Sequence, residues 1–447
     1  MEFNSFKKML LKKGLEVGFE ECEIYYSQGE SLSISVYEEE VEKYNLEKSF
    51  GLSFRGKING KIGYSYTEIM DFEALNMLIK NAKESALNIE SDDVQFIYEG
   101  DKTYEKVDTY SEELENIDAS KMIELCLDME KQAKLYCKKV VNIGGCKISY
   151  NSSSHGIYNT KGLELTNKSN LLMAYVVPVV EDDGDKQDGV GYVIAKSLDE
   201  VKPKAIAKQG VEEALSKLNG RSISSGNYKT IIYNEAMVSL LDTFSGIFSA
   251  DCAQKGLSLL KDKEGEIISS PIVTIVDDPL LDDGLSSTPF DDEGVATFRK
   301  EIVSKGKLTT LLHNLKTAHK ANMKTTGNGF KASYASQVGV EPSNLYIENG
   351  ESSIDELMKI VDEGIIVTDF AGLHSGANPI TGDFSLAAKG FYIKDGIKTF
   401  PVEQITVAGN YFDLLKNIEV VGNDLKFPMS NVGSPSLIVK ELSVAGK

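Results

Sequence analysis

The chain has 447 residues, which exceeds one ordinary domain and predicts two or three domains with a buried core. It carries 68 acidic and 48 basic residues, a formal charge of -20, and its arginines are Arg55, Arg221 and Arg299. A nucleic-acid surface needs clustered cations, and arginine makes the best base contacts. The composition therefore argues against a polynucleotide partner.

The cysteines are scattered along the chain without a C-x-x-C pair, and their odd number cannot all pair within one chain. They are Cys22, Cys126, Cys137, Cys146 and Cys252. This pattern is typical of a reduced, cytoplasmic protein. Lysines interrupt the apolar residues of the amino terminus, and no run of about twenty apolar residues occurs, so we expect neither a signal peptide nor a membrane span.

The first part of the chain alternates predicted helices and strands. Apolar residues at helical spacing predict helices at 4–17 and 72–88. The segments between them are rich in β-branched and aromatic residues and are separated by Gly-Glu and Asn-Gly pairs, which predicts an antiparallel meander. These segments read EIYYSQ, SLSISVYEE, EVEKYNLEKSFGLSFRG and KIGYSYTEI.

A second unit of the same kind follows a polar stretch at 91–118. It begins with a predicted helix at 119–137 and ends with a helix that stops at Asn219-Gly220. The predicted strands between them lie at about 139–150, 155–167, 169–181 and 189–197. Small polar residues at 221–227 indicate a domain boundary.

The remaining sequence predicts a different kind of domain. A strand (YKTIIYN) and a mostly helical apolar segment open it, and short strands, glycines and brief helices such as SSIDELMKIV follow. We therefore predict an α+β protein of two domains. Residues 1–220 form an antiparallel-sheet-and-helix domain, and residues 221–447 form a mainly β, loop-rich domain.

Seven carboxylates lie between Asp277 and Glu293, a density that could hold a hard cation. The pairs at 277–278 and 282–283 are, however, typical of turns in which Asp side chains bond the backbone, and solvated turns are the preferred interpretation. The run EDDGDKQDG at 181–189 lacks the glycine that an EF-hand needs at its sixth position, so we predict a hairpin tip there.

The four histidines, His155, His313, His319 and His374, form no local ligand pair. His313 and His319 would lie about 240° apart around a helix, which prevents them from easily sharing a metal. The sequence contains no G-x-S-x-G, Walker or G-x-G-x-x-G motif. The residues alone therefore indicate no catalytic apparatus.

A set of motifs in a fixed order nevertheless resembles the TldD/PmbA family, to which metallopeptidase activity and the name modulator of DNA gyrase are attached. The resemblance covers most of the chain. The motifs are YNSSSHGIYNTKGLELTNKS (150–169), LSSTPFDDEGVATFRKEIVSKGKLTTLL (285–312), KTTGNG (324–329), VTDFAG (367–372), PITGDFSLAAKGFYIKDG (379–396), PVEQITVAGN (401–410) and IEVVGND (418–424).

The TldD-like branch of that family carries H-E-x-x-x-H on a helix and a cysteine near the carboxyl terminus as zinc ligands. In this sequence Leu241, Asp242 and Gly246 stand where the two histidines and the glutamate would be. The carboxyl-terminal segment contains no cysteine. The resemblance is therefore to the PmbA branch, also called TldE, and implies neither catalytic nor metal-binding residues in this chain.

The resemblance implies a metal-free subunit of a TldD/TldE-type protease, which acts on unfolded or small peptides. The partner would be a TldD-like subunit holding zinc, or a second copy of this chain in a dimer. Two alternatives stay open: an independent hydrolase using residues such as Asp242, Asp291, Asp292 or His374, and a noncatalytic peptide-binding module. The residues expected to contact a peptide in a chamber between subunits are Asp291, Asp292, Glu293, His374 and Asp383.

The triplet 291–293 has a second interpretation. The sequence from Asp291 continues into an alternating run and the turn SKGK, which is typical of a structural turn leading into a hairpin. Both interpretations stay open at this point.

Overall fold

The computed structural model describes residues 1–90 and 93–447. Ser91 and Asp92, at the start of the predicted polar stretch, lie outside the described residues. In the described part of the chain, no helix combines the length and the apolar character that crossing a membrane requires.

The N-terminal 220 residues form helices packed on one large antiparallel sheet. The helices are α1 (Phe3–Glu16), α2 (Phe72–Asn88), α3 (Ala119–Tyr136) and α4 (Pro203–Ser216). The strands are β1 (Glu21–Tyr37), β2 (Glu40–Ile58), β3 (Lys61–Thr67), β4 (Val140–Asn159), β5 (Glu164–Asp182), β6 (Asp185–Asp188) and β7 (Gly191–Ala195). The strand order is β3-β2-β1-β4-β5-β6, and β7 also pairs with β5.

The predicted helices and the hairpin tip at 181–189 are confirmed, but three predicted strand breaks are wrong. The Gly-Glu pair at 29–30 continues β1, because Gly29 is paired with Ser49 on one side and Ser153 on the other. The break predicted at 151–154 lies inside β4, which runs to Asn159. The strand predicted at 155–167 is instead interrupted by a turn at 160–163, and the break predicted at 168 lies inside β5. Because these strands are long, two pairs of helices, α1 with α2 and α3 with α4, pack side by side on the same sheet.

Side-chain alternation in β1 separates the two faces of this sheet. Ile24 and Tyr26 pack in a core with α1 and α2, and Ile34 packs in a core with α3 and α4. The other face carries Glu23 and Tyr25, which are also buried. That face meets the C-terminal residues, so both faces of the sheet are covered near its start.

The C-terminal half contains short helices and many strands, which confirms the mixed α+β fold. The helices are α5 (Asn234–Phe244), α6 (Ala250–Gln254), α7 (Leu315–Ala321), α8 (Ile354–Val361), α9 (Leu373–Gly376) and α10 (Tyr411–Lys416). The strands are β8 (Gly226–Ile232), β9 (Ile275–Asp277), β10 (Lys300–Ser304), β11 (Lys307–Leu308), β12 (Leu345–Ile347), β13 (Gly364–Ala371), β14 (Asp383–Lys394), β15 (Ile397–Asn410), β16 (Ile418–Val421), β17 (Val432–Gly433) and β18 (Leu437–Ala445).

These strands form two sheets around one large core. The order is β11-β10-β9-β12-β17 in one and β15-β14-β13-β8-β18-β16 in the other. Helix α5 is apolar on most sides because it lies inside this core, where Phe244 stacks on Tyr411 with ring centroids 4.4 Å apart. The predicted hairpin through SKGK is confirmed as β10 and β11.

Candidate functional site

The acidic triplet 291–293 forms a tight buried turn. The Asp291 carboxylate accepts hydrogen bonds from the backbone N–H groups of Glu293 and Val295, both at 3.0 Å, and from that of Gly329 at 2.9 Å. Gly294 completes the turn with φ +86°, a conformation that favours glycine. The side chain of Asp291 therefore organises the backbone around it.

The next two carboxylates tie this turn to distant segments. Asp292 accepts from the backbone N–H of Lys331 at 2.8 Å, and Glu293 accepts from that of Leu315, at the start of α7, at 2.7 Å. A Cβ on Gly329 would lie 2.7 Å from Glu293 Oε2, so the close approach of the two segments requires glycine there. The triplet thus holds three parts of the C-terminal half together.

The N-terminal sheet presents a polar patch to this turn. Strand register places Arg55 beside Glu23 and Ser53 beside Tyr25 on the same face of the sheet. The Arg55 guanidinium donates to Glu23 Oε1 from Nε at 2.9 Å and from a terminal nitrogen at 2.5 Å. This ion pair is almost fully buried, which satisfies two charges that would be costly if left alone.

Lys331 inserts its side chain between the two halves of the protein. Its Nζ donates to Ser53 Oγ at 3.0 Å and lies 4.6 Å and 5.0 Å from the ring centroids of Tyr25 and Tyr64. Burial and the neighbouring Arg55 guanidinium lower the pKa of Lys331 to about 7. The site therefore contains a lysine that can carry or release a proton near neutral pH.

We call the contact between the N-terminal sheet and the 291–293 turn the junction. Burial also raises the pKa of the acidic groups at this junction, which favours their neutral forms. It raises the pKa of Asp291 well above its usual range, and the nearby Glu293 carboxylate adds to the effect. Burial raises the pKa of Asp292 and of Glu293 as well, while His155 opposes the change at Asp292 and Arg55 opposes it at Glu293. Clusters of this kind occur at functional sites and also in structural networks.

A cavity of about 70 Å³ lies at the junction and is large enough for only a very small molecule or a few waters. Its polar lining includes Arg55, Tyr64, Glu293, Lys316 and Lys331. Of these, only Glu293 is a site residue predicted from the sequence. One signal was available for Arg55, because an arginine in the strand segment GLSFRG must find a buried partner if both faces of the strand are covered.

The interpretation of the other acidic residues as solvated turns is correct for one pair and wrong for another. Asp282 and Asp283 are exposed. Asp277 and Asp278 are buried, and Asp277 pairs with Lys300 at 2.9 Å. A buried ion pair explains Asp277, because β9 runs through the domain core. Asp278 does make the predicted backbone bond, since it accepts from the N–H of Leu280 at 3.0 Å, but it is buried and not solvated.

The two other predicted contact residues lie on the surface. His374 is exposed on α9, a short helix that packs against α5 and β14. Asp383 is exposed at the start of β14, where hydrogen bonds from Asn410 and Thr381 lower its pKa. No hydrogen bond joins His374 or Asp383 to the triplet among the described residues.

The positions that the resemblance assigns to the zinc motif contain no suitable donor set. Leu241 is fully buried in the core, Asp242 is exposed, and Gly246 has no side chain. The carboxyl-terminal segment does pack against α5 through β17, but it contributes no cysteine. Within residues 1–90 and 93–447, no group of three or more His, Cys, Asp or Glu side chains is arranged to hold a metal ion.

Three domain models of one family match the chain. They are described as PmbA/TldA metallopeptidase domain 1 at residues 22–86, the central domain at 112–218 and the C-terminal domain at 225–446. The boundary predicted at 220–221 falls between the last two matches, and the division into two domains stays a prediction.

Known proteins resemble the chain over most of its length. Metalloprotease PmbA of Escherichia coli O157:H7 is 29% identical over 73% of this chain and 70% of its own. A Thermotoga maritima protein named a candidate modulator of a DNA gyrase is 32% identical, with a TM-score of 0.92 and coverage of 99% of this chain and 100% of that one. TldE of Thermococcus kodakarensis shares the fold, with 21% identity, a TM-score of 0.89 and coverage of 99% and 100%.

Proposed function

Since the chain belongs to the TldD/PmbA metallopeptidase family, we propose that it is the metal-free subunit of a two-subunit protease acting on unfolded or small peptides. One observation carries this proposal. The helix and the carboxyl-terminal segment that would hold zinc contain Leu241, Asp242 and Gly246 and no cysteine. Zinc needs about three nitrogen, sulfur or carboxylate ligands from the protein, and this set offers one carboxylate.

The residues present therefore do not fit the metal. A catalytic zinc in this family would supply a water of lowered pKa as nucleophile. That chemistry belongs, in our proposal, to a TldD-like partner with H-E-x-x-x-H. The shared fold with TldE supports such a partnership.

The contribution of this chain is to enclose the site and hold the peptide. His374 and Asp383 are exposed and available for direct contact, and His374 lies on a helix packed against α5. Asp291 is fully buried, and Glu293 faces the small cavity. We propose that the triplet acts mainly by keeping the segments around it in place.

A peptide-cleavage assay tests the proposal. We expect no cleavage by the chain alone and cleavage when it is mixed with a TldD-like partner. Replacing the glutamate of the partner's H-E-x-x-x-H motif should abolish the activity of the mixture, because that residue accepts the proton of the zinc-bound water.

The assay also distinguishes the alternatives. Cleavage by the isolated chain, or by a mixture whose partner lacks its glutamate, would contradict the proposal and favour an independent hydrolase. Peptide binding without cleavage in every mixture would favour a noncatalytic binding module.

A further inference from the structure

The small pocket at the junction is lined by more cations than anions. Its lining contains the basic residues Arg55, Lys316 and Lys331 and the acidic residue Glu293. The basic residues come from three separate segments, because Arg55 lies in β2, Lys316 lies in α7 and Lys331 follows the KTTGNG segment. Folding of the two halves together therefore builds a pocket whose charged groups favour an anion.

The buried cations of this pocket still have donors to offer. Arg55 contacts Glu23 through Nε and one terminal nitrogen, which leaves the other terminal nitrogen for a ligand among the described residues. The Lys331 ammonium donates to Ser53 Oγ at 3.0 Å and to the Tyr64 hydroxyl oxygen at 3.5 Å. An ammonium has three N–H groups, so one remains for a ligand.

The two buried cations lie close enough to repel each other. Burial lowers the pKa of Lys331, and the Arg55 guanidinium lowers it further. An anion bound beside both groups would offset this repulsion, because a nearby negative charge favours the protonated ammonium. The pocket thus gains more from an anionic ligand than from the water that otherwise fills it.

The shape of the pocket limits the ligand to a small, partly apolar molecule. The exposed side chain of Gln337 and the partly buried one of Lys316 mark its opening to solvent. Apolar side chains form another wall, from Ile62, Ile89, Phe96 and Val338. The volume of about 70 Å³ accommodates about five water-sized groups, since one water needs about 10–15 Å³.

We propose that this pocket binds a small carboxylate, with Arg55, Lys316 and Lys331 as the groups that recognise it. A carboxylate fits better than a phosphate, because the Glu293 side chain opposes a second negative charge and the apolar wall suits a short hydrocarbon group. Two sources share this chemistry: a free acid of two or three carbons, and the carboxyl terminus of a short peptide. The inference does not depend on the proposed function, because the pocket lies within one chain.

Isothermal titration calorimetry of the whole chain with sodium propionate tests the pocket directly. We expect one propionate per chain, with a dissociation constant on the order of 1 mM for a ligand of about five non-hydrogen atoms. Propionamide has the same size without the charge and should bind at least about tenfold more weakly. Inorganic phosphate should also bind more weakly than propionate.

Two substitutions of opposite sign test the role of charge in the pocket. Lys316→Met removes a cation and should weaken propionate binding on the order of tenfold. Glu293→Gln removes the negative charge, keeps an acceptor for the Leu315 N–H and should strengthen propionate binding. Lys80→Met, at an exposed position on α2, is the matched control and should bind propionate like the wild type.

Unchanged far-ultraviolet circular dichroism shows that a variant is folded, and Lys316→Met decides alone if Glu293→Gln does not fold. N-acetyl-alanyl-alanine and its carboxyl-terminal amide distinguish the two sources. Binding of the peptide acid but not its amide would assign the pocket to chain ends, whereas binding of propionate without the peptide would assign it to a free acid.

Either of those results supports the inference. It would be overturned if neither propionate nor the peptide acid showed saturable binding, if propionamide bound as well as propionate, or if phosphate bound more tightly. Unchanged affinity in folded Lys316→Met, or weaker propionate binding in folded Glu293→Gln, would overturn it as well.

Discussion

Asp277 and Asp291 are both fully buried carboxylates in the C-terminal half, yet their surroundings differ. Asp277 pairs with Lys300 at 2.9 Å and also accepts hydrogen bonds from Ser343 and Asn328. Among the described residues, Asp291 has no cation partner, and its carboxyl group accepts hydrogen bonds from backbone N–H groups. Asp277 is thus paired with a cation, whereas Asp291 is held by the backbone and burial raises its pKa.

The difference separates a cluster within one half of the chain from a cluster that lies between the two halves. The Asp277 pair is complete within the C-terminal half. The Asp291 turn instead adjoins cationic groups of two separate regions, Arg55 of the N-terminal sheet and Lys331 after the KTTGNG segment. The second cluster therefore contacts both halves of the chain, whereas the first lies within one.

Removing the cation of the first cluster should have the largest effect on the stability of the fold. Lys300→Met leaves Asp277 buried without its partner and should lower the free energy of unfolding by about 3–5 kcal/mol. Urea unfolding measures the change. Arg299→Met is the matched control, because Arg299 makes its ion pairs at the surface and should cost less than about 1 kcal/mol. Equal effects of the two variants would contradict the comparison.

Adding a methyl group at the second cluster should lower the free energy of unfolding by a smaller amount. Gly329→Ala pushes a Cβ against Glu293 and should destabilise the fold by about 1–3 kcal/mol, as overpacking does. Gly246→Ala is the control, since a Cβ there would meet nothing within 4 Å. Thermal unfolding compares them, and an alanine at 329 as harmless as one at 246 would show that the triplet does not need its present position.

Lys331 should make stability depend on pH. Its folded pKa of about 7 lies below the unfolded value, so below pH 7 both states are charged and the buried ammonium destabilises the fold. Above pH 7 the folded state releases the proton first, and stability should rise by on the order of 1 kcal/mol per pH unit relative to Lys331→Met.

Urea unfolding of both proteins between pH 6 and pH 9 measures this difference. Lys12→Met, at an exposed site on α1, serves as the control and should differ equally from the wild type at every pH. A constant difference between Lys331→Met and the wild type would contradict the predicted proton release.

The smallest effect on the cleavage rate is expected at Asp242, the position that corresponds to the glutamate of the zinc motif. Asp242→Ala should change the peptide-cleavage rate of the mixture with a TldD-like partner by less than about twofold, because in the proposed function the partner carries out the reaction. Inactivity of this variant in an otherwise folded protein would place the catalytic site in this chain.

The sequence predicted the local elements better than the contacts between them. Apolar spacing located α2 and α4 to within a residue or two, because helix formation depends on nearby residues. The turn predicted at Gly29 is wrong, since pairing with strands on both sides keeps this residue extended. The junction could not be predicted from spacing, because Arg55 and Lys331 meet only when the two halves fold together.

The zinc content of the dialysed, purified chain is the decisive measurement for the proposed metal-free role. We expect far less than one zinc per chain, because the helix and the carboxyl-terminal segment lack the ligands. Close to one zinc per chain, lost together with peptide cleavage on treatment with a chelator, would show that the chain itself holds the metal.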